Sequence, residues 1–339
     1  MLNDDRIKKL VSVIRQYRNG RKVVFLSNHD EMRKAFENYG ITIEKVFTGN
    51  HDLIASDDQY VPTSQLNGNS DQYYVIVPFV FDPQGSIHKK ILAAYGYEIL
   101  KDYMFYMEQK IIKPETTGLY EDCHENKITG ANEKIQFLVS GVKNQITIQG
   151  SQKIDGELKI VCEGNYNQIV IGEGCQFSGK NIIVMRGEYH SSIIGEGCSF
   201  SQNAMRFSGP GNSSLAIGDQ STFNANTQIT LCSCSNVKIG KDCMLSIDIS
   251  IFAGDGHTIF DLHSGRNINS DLSQREDDGY LYHLELEDHV WIGQRSTLLA
   301  GLGKKGTKVG KGSIVGALSL VKGHFPNNVI LAGVPAKVK

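Results

Sequence analysis

The chain has 339 residues, 40% of them apolar and 21% charged, with a formal net charge of -2. That balance belongs to folded globular domains and argues against a disordered chain. The near-neutral charge argues against a broad basic surface for nucleic acid or an anionic membrane, and no apolar run reaches the ~18 residues of a membrane span.

Met1 to Gly20 carries Ile7, Leu10, Val11, Val13 and Ile14 at helical spacing, interrupted by charges. This predicts an amphipathic helix packed on its own domain, not a signal peptide, and a cytoplasmic location. Lys22 to Ser27 reads as a strand and Asp30 to Tyr39 as a helix, with Asn28 or Asp30 as its cap and Gly40 at its end. Ile41 to Phe47 and Tyr73 to Phe79 read as further strands, Ser86 to Tyr95 as a helix stopped by Gly96, and Glu98 to Tyr106 as a closing strand. The alternation predicts a small parallel α/β (Rossmann-like) domain over residues 1–125. The turn after its first strand, Ser27-Asn28-His29-Asp30, holds no GxGxxG, so the usual glycine route to a pyrophosphate is missing.

From about residue 140 the pattern changes. Aliphatic-glycine pairs recur at Ile171-Gly172, Ile194-Gly195, Ile217-Gly218, Ile239-Gly240, Ile292-Gly293 and Val309-Gly310, the first three intervals being 23, 23 and 22 residues. Ile148-Gln149 lies one interval upstream. Repetition at such a period marks a solenoid. An aliphatic residue followed by Gly and then small or polar residues matches the hexapeptide unit of an all-β left-handed parallel β-helix, expected over residues 126–339. In such a coil the aliphatic side chain points inward and the glycine eases the corner. Its handedness departs from the usual right-handed crossover and comes from the pattern alone. Cys175 and Cys198, each after IGEG, should stack. The seven cysteines (with Cys123, Cys162, Cys232, Cys234 and Cys243) contain no CxxC and are expected to be buried and unpaired.

Between Ile239-Gly240 and Ile292-Gly293 the interval grows to 53 residues, and polar residues gather: Asp255-Gly256-His257, Asp261, His263, Arg266, Asn267 and Asn269. A long excursion from a rigid coil is a place for function. Then follow Val290-Trp291-Ile292-Gly293, Gly316 to Lys322 (GALSLVK), Pro326 and Ala332 to Lys337 (AGVPAK).

These motifs resemble the hexapeptide-repeat acetyltransferases that modify sugars, including capsule and lipopolysaccharide O-acetyltransferases. The resemblance implies transfer of an acetyl group from acetyl-coenzyme A to a sugar hydroxyl, in one direct step, by a homotrimer with active sites between subunits. Asp255-Gly256-His257 resembles the family's catalytic loop. His257 is the expected base, since a neutral imidazole can take the proton of an attacking hydroxyl, with Asp255 orienting its ring. Gln294 matches a position near the thioester, Ala317 one beside the pantetheine, and Lys322 and Lys337 positions near the nucleotide. Trp291, His263, Arg266 and Asn269 are candidates for acceptor contacts. No metal is expected. His190 reads as a corner residue, His283 as a loop cap and His289 as structural.

Two departures bear on coenzyme binding. Gly303 to Thr307 looks inserted, and the sequence ends at Lys339 without the family's basic extension, whose phosphate contacts are expected to be absent or replaced. The front domain is similar in placement to that of sugar N-acetyltransferases of the PglD type, where it holds a nucleotide-sugar. N-acetylation of a nucleotide-linked amino sugar is therefore the alternative. A zinc-dependent γ-type carbonic anhydrase using His257, His263 and His283 lacks the expected ligand spacing. A solenoid scaffold without activity would not need the His257 loop.

Overall fold

The computed structural model describes residues 4–27, 29–48, 51–78, 86–106, 111–112, 119–122, 124–130, 133–208, 211–232, 234–257, 259, 261–264, 280–303 and 306–339. The chain divides into two compact units, residues 1–109 with 121–126, and residues 110–120 with 127–339.

In the first unit, helix α1 (Asp4–Tyr17) precedes strand β1 (Lys22–Leu26), α2 (Asp30–Asn38), β2 (Lys45–Thr48), α3 (His51–Ser56), β3 (Tyr60–Pro62), β4 (Tyr73–Val77), α4 (Ser86–Ala94) and β5 (Tyr103–Phe105). The strands form one parallel sheet in the order β3-β2-β1-β4-β5. Val24, Phe25, Tyr74, Val75 and Ile76 are fully buried, as near-continuous apolar runs in a parallel sheet should be. The cap of α2 differs from expectation: His29 Nδ1 accepts the Met32 N–H at 3.3 Å, in the place foreseen for Asn28 or Asp30, and Asn28 lies outside the described residues. The second strand starts four residues later than its apolar text, at Lys45.

The second unit is a parallel β-helix. Its first ladder stacks Gln145–Ile148, Gln168–Ile171, Ser191–Ile194, Ser214–Ile217, Ser235–Ile239, Tyr282–Leu286, Thr307–Val309 and His324–Phe325. The second stacks residues 176–178, Ser199–Ser201, Thr222–Phe223, Met244–Leu245, Trp291–Ile292, Ile314–Val315 and Ile330–Gly333. The third stacks residues 182–185, Ala204–Ser208, Gln228–Cys232, Ser250–Ala253, Thr297–Leu299 and Leu320–Val321. The chain visits the ladders in turn, so each coil has three sides and three corners.

The interior is a set of columns, one residue per coil. Phe177, Phe200 and Phe223 stack with centroids 5.2 and 4.9 Å apart and planes within 19°. Buried polar columns tie coil to coil at the corners. Asn144 Nδ2 donates to the Gly164 carbonyl (2.8 Å) and Asn167 Nδ2 to that of Gly187 (3.0 Å). In the next coil His190 Nδ1 accepts the Ser213 N–H (3.2 Å), so its Nε2 carries the proton and donates to the Arg186 carbonyl (3.1 Å). Burial lowers the His190 pKa, in keeping with that neutral ring. Cys175 and Cys198 stack in register, and their thiols donate to the carbonyls of Gly195 and Gly218 at 3.2 and 3.3 Å. The six described cysteines are all free and buried.

Two expectations about the repeat change. The glycine after the aliphatic residue does not supply a left-handed corner. A Cβ on Gly172 would lie 2.6 Å from the Gly195 carbonyl carbon, and one on Gly240 2.6 Å from Asp288 N. Close approach of the neighbouring coil demands glycine there. The left-handed positions lie further on, with φ between 51 and 72°, and include Gly174, Gln220 and Asp242 at one corner, Asn226, Arg295 and Leu318 at the second, and Lys143, Tyr166, Tyr189, Asn212 and Cys234 at the third. Ile292-Gly293 also belongs to a different ladder from Ile239-Gly240, whose partner in the next coil is Leu286-Glu287. The step across the excursion is therefore 47 residues, not 53.

Candidate active site

The excursion leaves the coil after Ala253 and returns at Leu281, at the corner where the third ladder passes to the first. Its two ends are fastened. The Ser235 hydroxyl donates to the Ala253 carbonyl at 2.7 Å, and the Leu281 N–H donates to the Cys234 carbonyl at 2.8 Å. Asp255 follows. Its Oδ2 accepts the hydroxyl of Tyr282 at 2.5 Å, a bond spanning 27 positions that closes the excursion at its base. Burial and the adjoining Asp255 carboxylate both raise the Tyr282 pKa, so the phenol stays protonated and donates. Sequence reading missed this partner, because Tyr282 sits beyond the irregular stretch in a strand of ordinary composition.

Gly256 adopts φ +71° and backs onto Phe252: a Cβ there would stand 3.3 Å from Phe252 Cζ. Phe252 is on the outer side of the third ladder, so Gly256 lies against that side. Asp255, Gly256 and His257 are exposed. Further along, Asp261 Oδ1 accepts the N–H groups of His263 and Ser264 (3.2 and 2.7 Å) and the Ser264 hydroxyl (2.7 Å). His263 is exposed and Leu262 almost completely so, at 97%. Arg266 and Asn269 lie outside the described residues.

The residues expected near coenzyme A fall on neighbouring coils. Trp291 pairs with Ile314, which sets Gln294 beside Ala317 at the corner between the second and third ladders, and both are exposed. The Leu318 N–H donates to the Gln294 carbonyl at 2.9 Å. The glycine of VWIG makes this stacking possible, since a Cβ on Gly293 would lie 2.7 Å from Ala317 N. Lys322 continues the outer column Phe252, Leu299 on the third ladder and is exposed. Lys337 is on the final strand, Ala336–Val338, which turns back antiparallel to Ile330–Gly333. Hence the outer side of the third ladder is bounded at one edge by Gln294 and Ala317 and at the other by the Asp255–His257 segment. The strand between them sets a width on the order of 15 Å.

The remaining histidines have structural surroundings. His289 Nδ1 lies 2.8 Å from Asp242 Oδ2 across one corner. His283, expected to cap a loop, is instead within the strand Tyr282–Leu286, with its ring edge-on to Tyr280 at 6.1 Å. The inserted stretch brings Gly301–Leu302 antiparallel to Tyr282–His283, and the Gly303 N–H donates to the Leu281 carbonyl at 2.9 Å. It thus supports the base of the excursion. Among the described residues no group of three His, Cys, Asp or Glu side chains is placed to hold a metal ion, and no helix is long and apolar enough to cross a membrane.

Comparison with known proteins agrees with the resemblance carried by the C-terminal motifs. No family model matches the chain. A polysialic acid O-acetyltransferase of Escherichia coli O1:K1 is 30% identical over 126 residues, 37% of this chain and 36% of the relative. A galactoside O-acetyltransferase of Escherichia coli K12 is 27% identical over 116 residues, 34% of this chain and 49% of the relative. The chain therefore spans less than two thirds of the length of these relatives. Among solved structures, the polysialic acid O-acetyltransferase OatWY aligns with a TM-score of 0.46 and 24% identity, over 59% of this chain and 85% of that one.

Proposed function

We propose that the β-helix, read as a left-handed coil of the hexapeptide kind, transfers an acetyl group from acetyl-coenzyme A to a hydroxyl of a surface glycan. The observation that carries this reading is the fastened loop. Asp255 is anchored by Tyr282, and Gly256 backs onto Phe252; this reading sets His257 at the edge of an outer strip whose far edge is Gln294 and Ala317. In this reading His257 takes the proton of the acceptor hydroxyl as its oxygen attacks the thioester carbonyl. The tetrahedral adduct then collapses, the carbon–sulfur bond breaks, and the same imidazolium returns its proton to the departing thiolate. In this reading Asp255, anchored by Tyr282, steadies the imidazolium.

The acetyl donor fits the residues present. The half-buried Phe252 and Leu299 give an apolar strip for a pantetheine arm, the small Ala317 leaves its backbone approachable, and the exposed Lys322 and Lys337 are cations for phosphates. Trp291 and His263 are the acceptor contacts proposed among the described residues.

We further propose a homotrimer. The outer column of the second ladder is polar at Gln176, Ser199 and Thr222, then turns apolar at Met244, Trp291 and Ile330, which are 54%, 46% and 54% exposed. That column is a surface suited to another copy, which would narrow the gap between His257 and Gln294. A second reading, N-acetylation of a nucleotide-linked amino sugar, is favoured by the parallel sheet of the first unit, whose order reverses between β1 and β4.

The test is incubation with acetyl-coenzyme A and a panel of sugars, glycans and nucleotide-sugars, following thiol release. The wild type releases thiol with at least one acceptor. His257→Ala lowers that rate about 10²- to 10⁴-fold while its unfolding midpoint stays put. Full activity in the variant would sink the assignment of the base.

A further inference from the structure

The corner from which the excursion departs carries a second feature, three coils upstream. Tyr166 and Tyr189 occupy equivalent left-handed positions there, with φ 57 and 56°. Their rings stack face to face, 4.8 Å apart and 2° from parallel. Lys143 stands over the outer face of Tyr166, its Nζ 5.6 Å from the centroid. In the following coil the equivalent position is Asn212, which is exposed, so among the described residues no third aromatic ring continues the stack beyond Tyr189. Tyr189 is 50% exposed. This differs in kind from the phenylalanine stack inside the coil, where every ring is at most 2% exposed.

We infer that this corner is a subsite for an extended chain of sugar rings, running from Tyr189 along the corner to the Asp255–His257 loop. The inference rests on the acetyltransferase reading above and specifies it: the acceptor is a polymer, held at a distance from the bond being made. Three arguments carry it. A tyrosine face suits the axial C–H side of a pyranose, and the adjacent Asn212 amide suits the ring's hydroxyl groups. The rim is polar and fixed: the Glu188 carboxylate accepts from Asn165 Nδ2 at 2.6 Å, and Arg186 pairs with Glu163 at 3.1 Å. The third argument is direction and spacing. Coils rise by ~4.8 Å, close to what one pyranose adds to an extended glycan, so the three steps from Tyr189 to the loop match a segment of about three sugars. Tyr189, Asn212, Cys234 and the loop root lie in one file along that corner.

The experiment uses the full chain and polysialic acid fragments of graded length, with a neutral glucan series as a second probe. Tyr166→Asn and Tyr189→Asn are the variants, because asparagine already occupies the equivalent corner at Asn212 and tolerates a left-handed backbone. In the wild type the Michaelis constant of one series falls as the fragments outgrow about four sugars. In the double variant that advantage of long over short acceptors is lost, a change of about tenfold, whereas Tyr189→Phe retains it. Retardation in gels containing the polymer is the readout that needs no turnover: wild type is slowed and the double variant is not. If no acceptor is acetylated but retardation is lost in the variant, the subsite stands and the enzymatic reading falls. If the variants keep both the length dependence and the retardation, the tyrosine pair is merely a corner brace and the inference is overturned.

Discussion

The coils before Ala253 and those after it use the same rungs but differ at one corner. Upstream, the third-to-first corner is crossed in a few residues, and its polar groups are bonded to the next coil: Asn144 to Gly164, Asn167 to Gly187 and His190 to Ser213. Downstream, the same corner opens twice, once for the excursion to Leu281 and once for the Gly301–Thr307 turn that braces it. The lesson is that regular rungs hold the fold, while the chemistry proposed here sits where one corner is released from holding it.

That contrast is breakable at the upstream end with glycine. Gly172 and Gly174 look alike in the sequence but answer different demands. Gly172→Ala pushes a methyl group against the Gly195 backbone and should destabilise the chain by about 3 kcal/mol. Gly174→Asn keeps φ +72° accessible, with its nearest neighbours 4.0 Å away, and should cost under about 1 kcal/mol. Denaturant midpoints of the two variants decide it, and equal losses would refute the division of labour between close approach and left-handed turn.

A smaller effect, in a different quantity, is expected downstream. Tyr282→Phe removes the donor that anchors Asp255 and should lower kcat about tenfold, with little change in unfolding midpoint, since the bond is to an exposed carboxylate. A variant that loses stability but not kcat would make Tyr282 a rung residue and nothing more.

The smallest effect sharpens the upstream side. His190 is held neutral, with its folded pKa below the ordinary value because it is buried. The unfolded chain therefore binds a proton before the folded chain does. The stability this neutral ring contributes is complete above the unfolded value of ~6.5 and is lost as pH falls through the interval down to the folded pKa. His190→Asn, copying Asn144 and Asn167 of the same column, should remove up to one proton from the acid limb of a stability-versus-pH curve. An unchanged acid limb would count against it.

Much of this was legible in the residues. The period of 22 to 23 gave the solenoid because one column of aliphatic residues must recur once per coil. The strands at Lys22 and Tyr73 were plain from their apolar runs. Other parts were hidden for physical reasons. The second ladder carries the same aliphatic-glycine text as the first at Ile292-Gly293 and Val315-Gly316, so Ile292-Gly293 passed for the continuation of Ile239-Gly240. Helix α3 and strand β3 were missed because His51 to Tyr60 lacks a clear period and earns its structure from the sheet beside it. At the site, the motif Asp255-Gly256-His257 was readable, but the Tyr282 anchor and the Phe252 backing were not, since both depend on which coil faces which.

The thiol column has a practical consequence. Cys175, Cys198 and Cys243 are fully inaccessible on different coils, each engaged with the backbone of the coil that follows it. A chemical label can therefore reach each sulfur only after its own layer has parted from the next. Because layers in such arrays interact chiefly with their neighbours, the rates of alkylation at the three positions form a built-in clock for unzipping. They report from which end the stack begins to come apart.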